Sequence, residues 1–298
     1  MTTTQQAGTT PEWTQAEIAR LMDAVPVGQS GEGRYQAPAH GPSERNVVEG
    51  GQQIGAVIVA AAKEVPEQRV TSVSLAFSRA ARHDLPLDIE LDVLRRGRTQ
   101  STLQVRVLQG EKFCSAGTIH MDTGSDDLIR SSAAPPDVAG PDELADLALE
   151  GFELPGRQIR VVDDAYDWDR DHVGPPELFV WERFDEPGAT PALEAALIAH
   201  STTHWTIAAA LRPHRGYTEI DAHRTFSSGI SMVTVAFHEP ATAAQWLLYA
   251  NQAVHAGSGT VQGEGRVHDA SGAVVASYTV HAMVRPLLQT GADSGRMM

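Results

Sequence analysis

The feature that most constrains this chain is a repeat: an apolar helix followed by a run of strands occurs twice, in the same order. In the first copy, residues 50–63 are nearly all small or apolar and too many for one strand. Ala62-Lys63-Glu64 reads as a helix end, and a helix apolar on nearly every side is a buried one. Val73-Ser74-Leu75-Ala76-Phe77 follows as a strand. Leu85, Leu87, Ile89, Leu91 and Val93 then alternate with Asp88, Glu90 and Asp92, the period-two pattern of a sheet with one wet face. Arg95-Arg96-Gly97-Arg98 supplies a turn, Leu103, Val105 and Val107 alternate again, and Gln109-Gly110-Glu111 turns into a third strand at 113–121. Strands on such short turns form an antiparallel meander.

The second copy repeats this order. A helix is expected over 200–211, stopped by Pro213. Val233-Thr234-Val235-Ala236-Phe237 parallels Val73 to Phe77, and Thr279-Val280-His281-Ala282 parallels Thr118-Ile119-His120-Met121. The intervening 122–155 is acidic and rich in Ser, Ala and Pro, which reads as a crossover linker with a short helix in 141–147. Residues 163–184 read as the lead-in to the second copy. The expected divisions are an N-terminal segment 1–29, a first unit 30–122, a linker 123–160, and a second unit with C-terminal tail 161–298.

Charge and composition exclude several functions. A formal net charge of −15 leaves no basic excess to neutralise phosphates, so no nucleic-acid partner is expected. No window approaches the ~18 apolar residues of a membrane span, and residues 1–10 lack the order of a signal peptide, so a cytoplasmic protein without membrane contact is expected. The single cysteine, Cys114, permits neither an intrachain disulfide nor a cysteine zinc cluster and reads as a buried strand residue. Twelve scattered histidines offer no ligand pair backed by a third ligand, so no metal or redox cofactor is expected. Exposed sheet faces need covering, which predicts a homo-oligomer.

The segment Val47-Val48-Glu49-Gly50-Gly51-Gln52-Gln53-Ile54-Gly55 resembles the Phe-Gly-Gly-Gln-containing helix start of acyl-CoA thioesterase II (TesB-type) proteins. Arg95-Arg96-Gly97-Arg98 is similar to that family's Leu-Arg-Asp-Gly-Arg turn. Ala209-Ala210-Leu211-Arg212-Pro213-His214, Phe237-His238-Glu239-Pro240, Gln245-Trp246-Leu247-Leu248-Tyr249 and Val275-Ala276-Ser277 resemble its second-half signatures. The resemblance spans 30–287. It implies an α+β fold, a tandem (double) hotdog in which each half is a central helix wrapped by an antiparallel sheet. It also implies fatty acyl-CoA as the ligand, and a second-half site where a helix Asp, a strand Ser or Thr and a last-strand Gln activate water.

Carried across by the same motifs, the Asp position falls on Thr203, the hydroxyl position on Ile230 with Ser231 beside it, and the Gln position on Val280. None matches. General acid–base help is commonly worth about 10²–10⁴-fold and an oxyanion donor about 10²–10³-fold. The expectation is therefore an acyl-CoA binder whose thioester hydrolysis is weak or absent. The alternative is an active thioesterase with a rebuilt site. His200, Thr203 and His204 share a helical face at i, i+3 and i+4, although such residues also serve merely to line a pocket or satisfy backbone groups. Glu49 precedes the first helix, where single-hotdog thioesterases place a carboxylate; a solvated residue that suits the helix dipole is the plainer reading. His120 and His281 occupy matching positions and read as structural. The hydratase pattern of Asp and His near an Asn-Pro is absent from the sequence.

Overall fold

The computed structural model describes residues 15–27, 33–39, 46–149 and 156–287. Its helices are α1 (Gln15–Met22), α2 (Gly50–Glu64), α3 (Pro191–Ser201) and α4 (Thr206–Leu211). Its strands are β1 (Val25–Pro26), β2 (Arg34–Ala37), β3 (Arg69–Phe77), β4 (Leu87–Arg96), β5 (Gln100–Gln109), β6 (Lys112–Asp122), β7 (Arg157–Val161), β8 (Glu177–Phe184), β9 (Phe226–Phe237), β10 (Leu247–Gly257), β11 (Thr260–His268) and β12 (Val274–Pro286).

All twelve strands join one antiparallel sheet in the order β1-β2-β4-β5-β6-β3-β9-β12-β11-β10-β8-β7. Read from either edge, the two halves are the same. They meet where β3 pairs with β9, with Ser72 opposite Ala236, Ser74 opposite Thr234 and Ala76 opposite Met232. This register is symmetric about the Ser74–Thr234 pair, whose hydroxyl oxygens lie 2.9 Å apart. A pseudo-twofold axis therefore passes between those two side chains. Even the irregularities repeat. Thr71 is the extra residue where β3 bulges against β6, and Ser231 is its counterpart where β9 bulges against β12.

One face of the sheet holds the alternating apolar residues, among them Leu87, Ile89, Leu103, Val105 and Val107, all buried. Against that face lie α2 and α4, and α3 packs beside α2. Every residue of α2 from Gly51 to Ala61 is buried, because α1 and α3 cover what the sheet leaves open. Burying a side chain such as Ile54 or Ile58 is worth about 1.5–3 kcal/mol each. Cys114 is buried at 1% exposure, as its apolar surroundings predict.

Several details differ from expectation. Leu85 stands outside β4 and is exposed, and its carbonyl accepts from Gln109 Nε2 at 2.6 Å instead of joining the sheet ladder. Arg95 and Arg96 belong to β4, and the turn begins only at Gly97. The helix expected over 200–211 starts earlier, at Pro191, and is interrupted at 202–205. Thr190 caps its start by accepting from the Leu193 N–H at 3.2 Å. Three consecutive hydroxyl residues, Ser201, Thr202 and Thr203, end α3. Thr202 Oγ1 donates to the Ala199 carbonyl at 2.7 Å and Thr203 Oγ1 to the His200 carbonyl at 2.9 Å, competing with the helical ladder. The short helix expected in 141–147 is a single 3-10 turn, Pro141–Glu143. The segment read as a lead-in contains β8, a full sheet strand.

Candidate functional site

The start of α2 and the end of α3 meet at one place. Two glycines on α2 let the helices approach: a Cβ at Gly51 would sit 2.6 Å from the His200 carbonyl oxygen and 2.9 Å from Thr203 Oγ1, and one at Gly55 would face Ala196. Since 51 meets 200 while 55 meets 196, the helices run antiparallel. Glu49 immediately precedes α2 in an extended conformation and makes no side-chain cap, so its carboxylate is not spent on the helix N–H groups. Its Oε2 lies 3.7 Å from His200 Nε2. His204 stacks at 5.1 Å from the His200 ring. Three residues expected as replacements, Glu49, His200 and His204, thus do gather with Thr203.

Behind His200 lies a buried charge network. Arg157 Nη1 is 2.6 Å from Glu182 Oε1, with both side chains 1% exposed, and 2.9 Å from Ser201 Oγ. Ser201 Oγ also donates to Glu182. Arg157 Nη2 reaches His200 Nδ1 at 3.4 Å. Burial, and then the Arg157 guanidinium, hold the His200 imidazole well below its ordinary value. The same two causes pull His204 down to about 3, although the residue as a whole is only partly buried. Both rings are therefore neutral near pH 7, and the Glu49–His200 approach is a contact between a carboxylate and a neutral imidazole, not an ion pair.

At the positions carried over from the resemblance, the chemistry is thin. Thr203 Oγ1 is committed to the His200 carbonyl. Ile230 pairs with Ala282 and packs on the core, while Val280 pairs with Val233 and is fully buried. Ser231, the bulge residue, has the one hydroxyl on this stretch beside Ile230. His120 and His281 are exposed at matching register positions opposite Ser72 and Met232. Among the described residues, no group of three or more His, Cys, Asp or Glu side chains is placed to hold a metal. Among the described residues, no helix is long and apolar enough to cross a membrane.

Sequence reasoning misses Arg157, Glu182 and Ser201. One signal is present. Leu178, Val180, Glu182 and Phe184 share a strand face, and a carboxylate in an otherwise apolar alternation must find a buried partner. Arg157 carries no such signal, because it stands inside the stretch that reads as linker.

Comparison with known proteins agrees with this architecture. Residues 39–121 match the acyl-CoA thioesterase N-terminal domain, and residues 131–284, more than half of the chain, match the acyl-CoA thioesterase C-terminal domain. No curated protein matches the sequence. Among solved structures, a TesB protein of Mycobacterium avium subs paratuberculosis is similar with a TM-score of 0.75 at 20% identity, covering 92% of this chain and 100% of that one. An acyl-CoA thioesterase II of Mycobacterium marinum aligns with a TM-score of 0.71 at 20% identity, over 90% and 98% of the two chains. A hot dog fold protein of Alicyclobacillus acidocaldarius gives 0.70 at 19%, over 93% and 100%. The mirrored sheet, with its helices on one face, is an α+β double hotdog, and the chain belongs to the acyl-CoA thioesterase family.

Proposed function

We propose that this protein binds fatty acyl-CoA but hydrolyses the thioester weakly or not at all. The observation that carries this reading is Thr203. It stands where the resemblance places an Asp, and its hydroxyl is spent on the His200 carbonyl at 2.9 Å. Ile230 and Val280 add only hydrocarbon where a hydroxyl and an amide would polarise the thioester oxygen. In this reading the linker between the hotdog units ends before β7, which pairs with β8 in the second unit, and the protein works as a cytoplasmic homo-oligomer without metal, nucleic acid or membrane. Hydrolysis of acyl-CoA across chain lengths, followed by free-thiol release, should fall below one-tenth of an active relative, while calorimetry detects acyl-CoA binding. Turnover within tenfold of that relative overturns the proposal.

A second reading is favoured by the 3.7 Å approach of Glu49 to His200. Glu49 lies at the same meeting of α2 and α3 as Thr203, its side chain is about a third open to solvent, and it stands at a helix start that favours negative charge on the substrate oxygen. Any residual hydrolysis then depends on it. Glu49→Gln abolishes that residue of activity if the reading holds and leaves it untouched if it does not.

A further inference from the structure

The pseudo-twofold axis through Ser74 and Thr234 carries the Glu49–His200 end of the α2–α3 pair onto its opposite end. There α2 finishes and α3 begins, and a cavity of 520 Å³ opens. Its position is the symmetry mate of the first. Phe237, Ala241 and Val275 in its wall correspond to Phe77, which packs on Gly50, Ala81, which accepts from the Val48 N–H, and buried Cys114. A volume of this size is ordinary for a small-molecule site.

The wall has two chemical parts. Ala62, Val70, Ala195, Ile198, Phe237 and Val275 make an apolar floor. The charged residues around it are four carboxylates, Glu67, Asp122, Glu194 and Glu239, against one guanidinium, Arg69. Arg69 is already held by Asp122 at 3.2 Å. An anionic head group would find no cation without a partner in this wall. A cationic one would find Glu67 and Glu239, whose partners Arg96 and Arg130 are themselves exposed and screened by water, whereas Glu194 is taken up by the Gly188 and Ala243 N–H groups and the Thr242 hydroxyl. Gln68 adds a polar anchor. It is 5% exposed, its Nε2 donates to the Gly97 carbonyl at 2.9 Å, and its Oε1 has no hydrogen-bond partner. That oxygen is sealed from water as it stands, so a donor on a ligand reaches it, and recovers the cost of the open acceptor, once the Gln68 amide turns toward the cavity.

We infer that this cavity is a second binding site, separate from the acyl-CoA end, for an amphiphile with an apolar tail and a cationic, hydrogen-bond-donating head. A primary alkylammonium has that chemistry; a fatty carboxylate or a coenzyme A phosphate has the opposite charge. The inference stands whether or not the protein hydrolyses thioesters.

Calorimetry on the full chain with decylamine, decanol and decanoate near pH 7, each below its aggregation concentration, tests it. Decylamine should bind saturably, at least tenfold more tightly than decanoate, with decanol between them. Ala195→Phe, which fills the cavity from α3, should remove decylamine binding, and Gln68→Leu should weaken it several-fold. Ala192→Leu repeats the filling test should the larger side chain unfold the protein. Octanoyl-CoA in excess should leave decylamine binding unchanged. Decanoate binding as tightly as decylamine, filling variants that stay folded and still bind, or competition by octanoyl-CoA would each overturn the inference.

Discussion

Arg157 Nη1 stands 2.6 Å from Glu182 Oε1, with both side chains 1% exposed, so the second unit carries an ion pair inside its core. Desolvating two charges is costly, and such a pair is weak evidence for net stability. Removing one partner is another matter, because the other is left charged and buried. Arg157→Met should therefore destabilise the fold by about 3–5 kcal/mol in urea unfolding, and Arg157→Met combined with Glu182→Leu should recover most of that loss. A double variant no better than the single would show that Glu182 does not depend on Arg157.

The helix crossing gives a second prediction. At Gly51 an added methyl would meet backbone and a fixed hydroxyl, whereas at Gly55 it would meet the Met22 side chain, which can swing aside. Gly51→Ala should cost about 1–3 kcal/mol, and Gly55→Ala distinctly less. Thermal unfolding of the two variants ranks them directly.

Restoring the side chains that the resemblance implies tests why the site is weak. Thr203→Asp with Ile230→Thr and Val280→Gln should raise acyl-CoA hydrolysis by at least tenfold, a floor set below the range of about 10²–10⁴ that general acid–base help provides in a fully formed site. Thr203→Asp alone should gain less, since no amide or hydroxyl joins it. Val280 is fully buried, so the triple variant should also melt lower than the parent. Free-thiol release reads the gain, and an unchanged rate in a folded triple variant would place the defect elsewhere.

The buried imidazoles set a pH dependence. His204 is held at about 3 in the folded protein against an ordinary 6.5, by burial first and Arg157 second. Between those values the unfolded chain binds the proton and the folded chain does not, so stability must fall as pH drops below about 6.5. His200 shifts in the same direction. Urea titrations from pH 7 to pH 4 should show that loss, and His204→Gln should flatten the slope. The flattening will be modest, because His204 as a whole is only partly buried. An identical slope in the variant would mean that His204 titrates normally.

Much of the fold is legible in the residues alone. Period-two alternation locates β4, β5 and the meander strands, and the small apolar run locates α2, because those patterns are local consequences of which face is buried. The interruption of α3 is not legible in this way. Ser201, Thr202 and Thr203 are tolerated inside helices, and only the packing of Gly51 against this stretch shows where the ladder gives way. The short strands β2 and β7 near the sheet's edges escape notice because runs of four or five residues carry little periodicity of their own. At the site, residue type and spacing single out Glu49, His200, Thr203 and His204, but not Arg157 and Glu182, since their importance lies entirely in each other.

By itself, then, the sequence determined that one unit is written twice, which residues of each helix and strand turn inward, and that the positions its relatives' motifs point to hold Thr203, Ile230 and Val280. Tertiary structure alone decided that the halves join through Ser74 and Thr234, that Glu49 reaches His200 across two helices, and that a cavity lies at the opposite end of that pair. The physical reason is range. Burial patterns are set by neighbours a few residues apart, whereas contacts between Arg157 and Glu182, or Glu49 and His200, depend on how separate elements pack, and no local pattern encodes them.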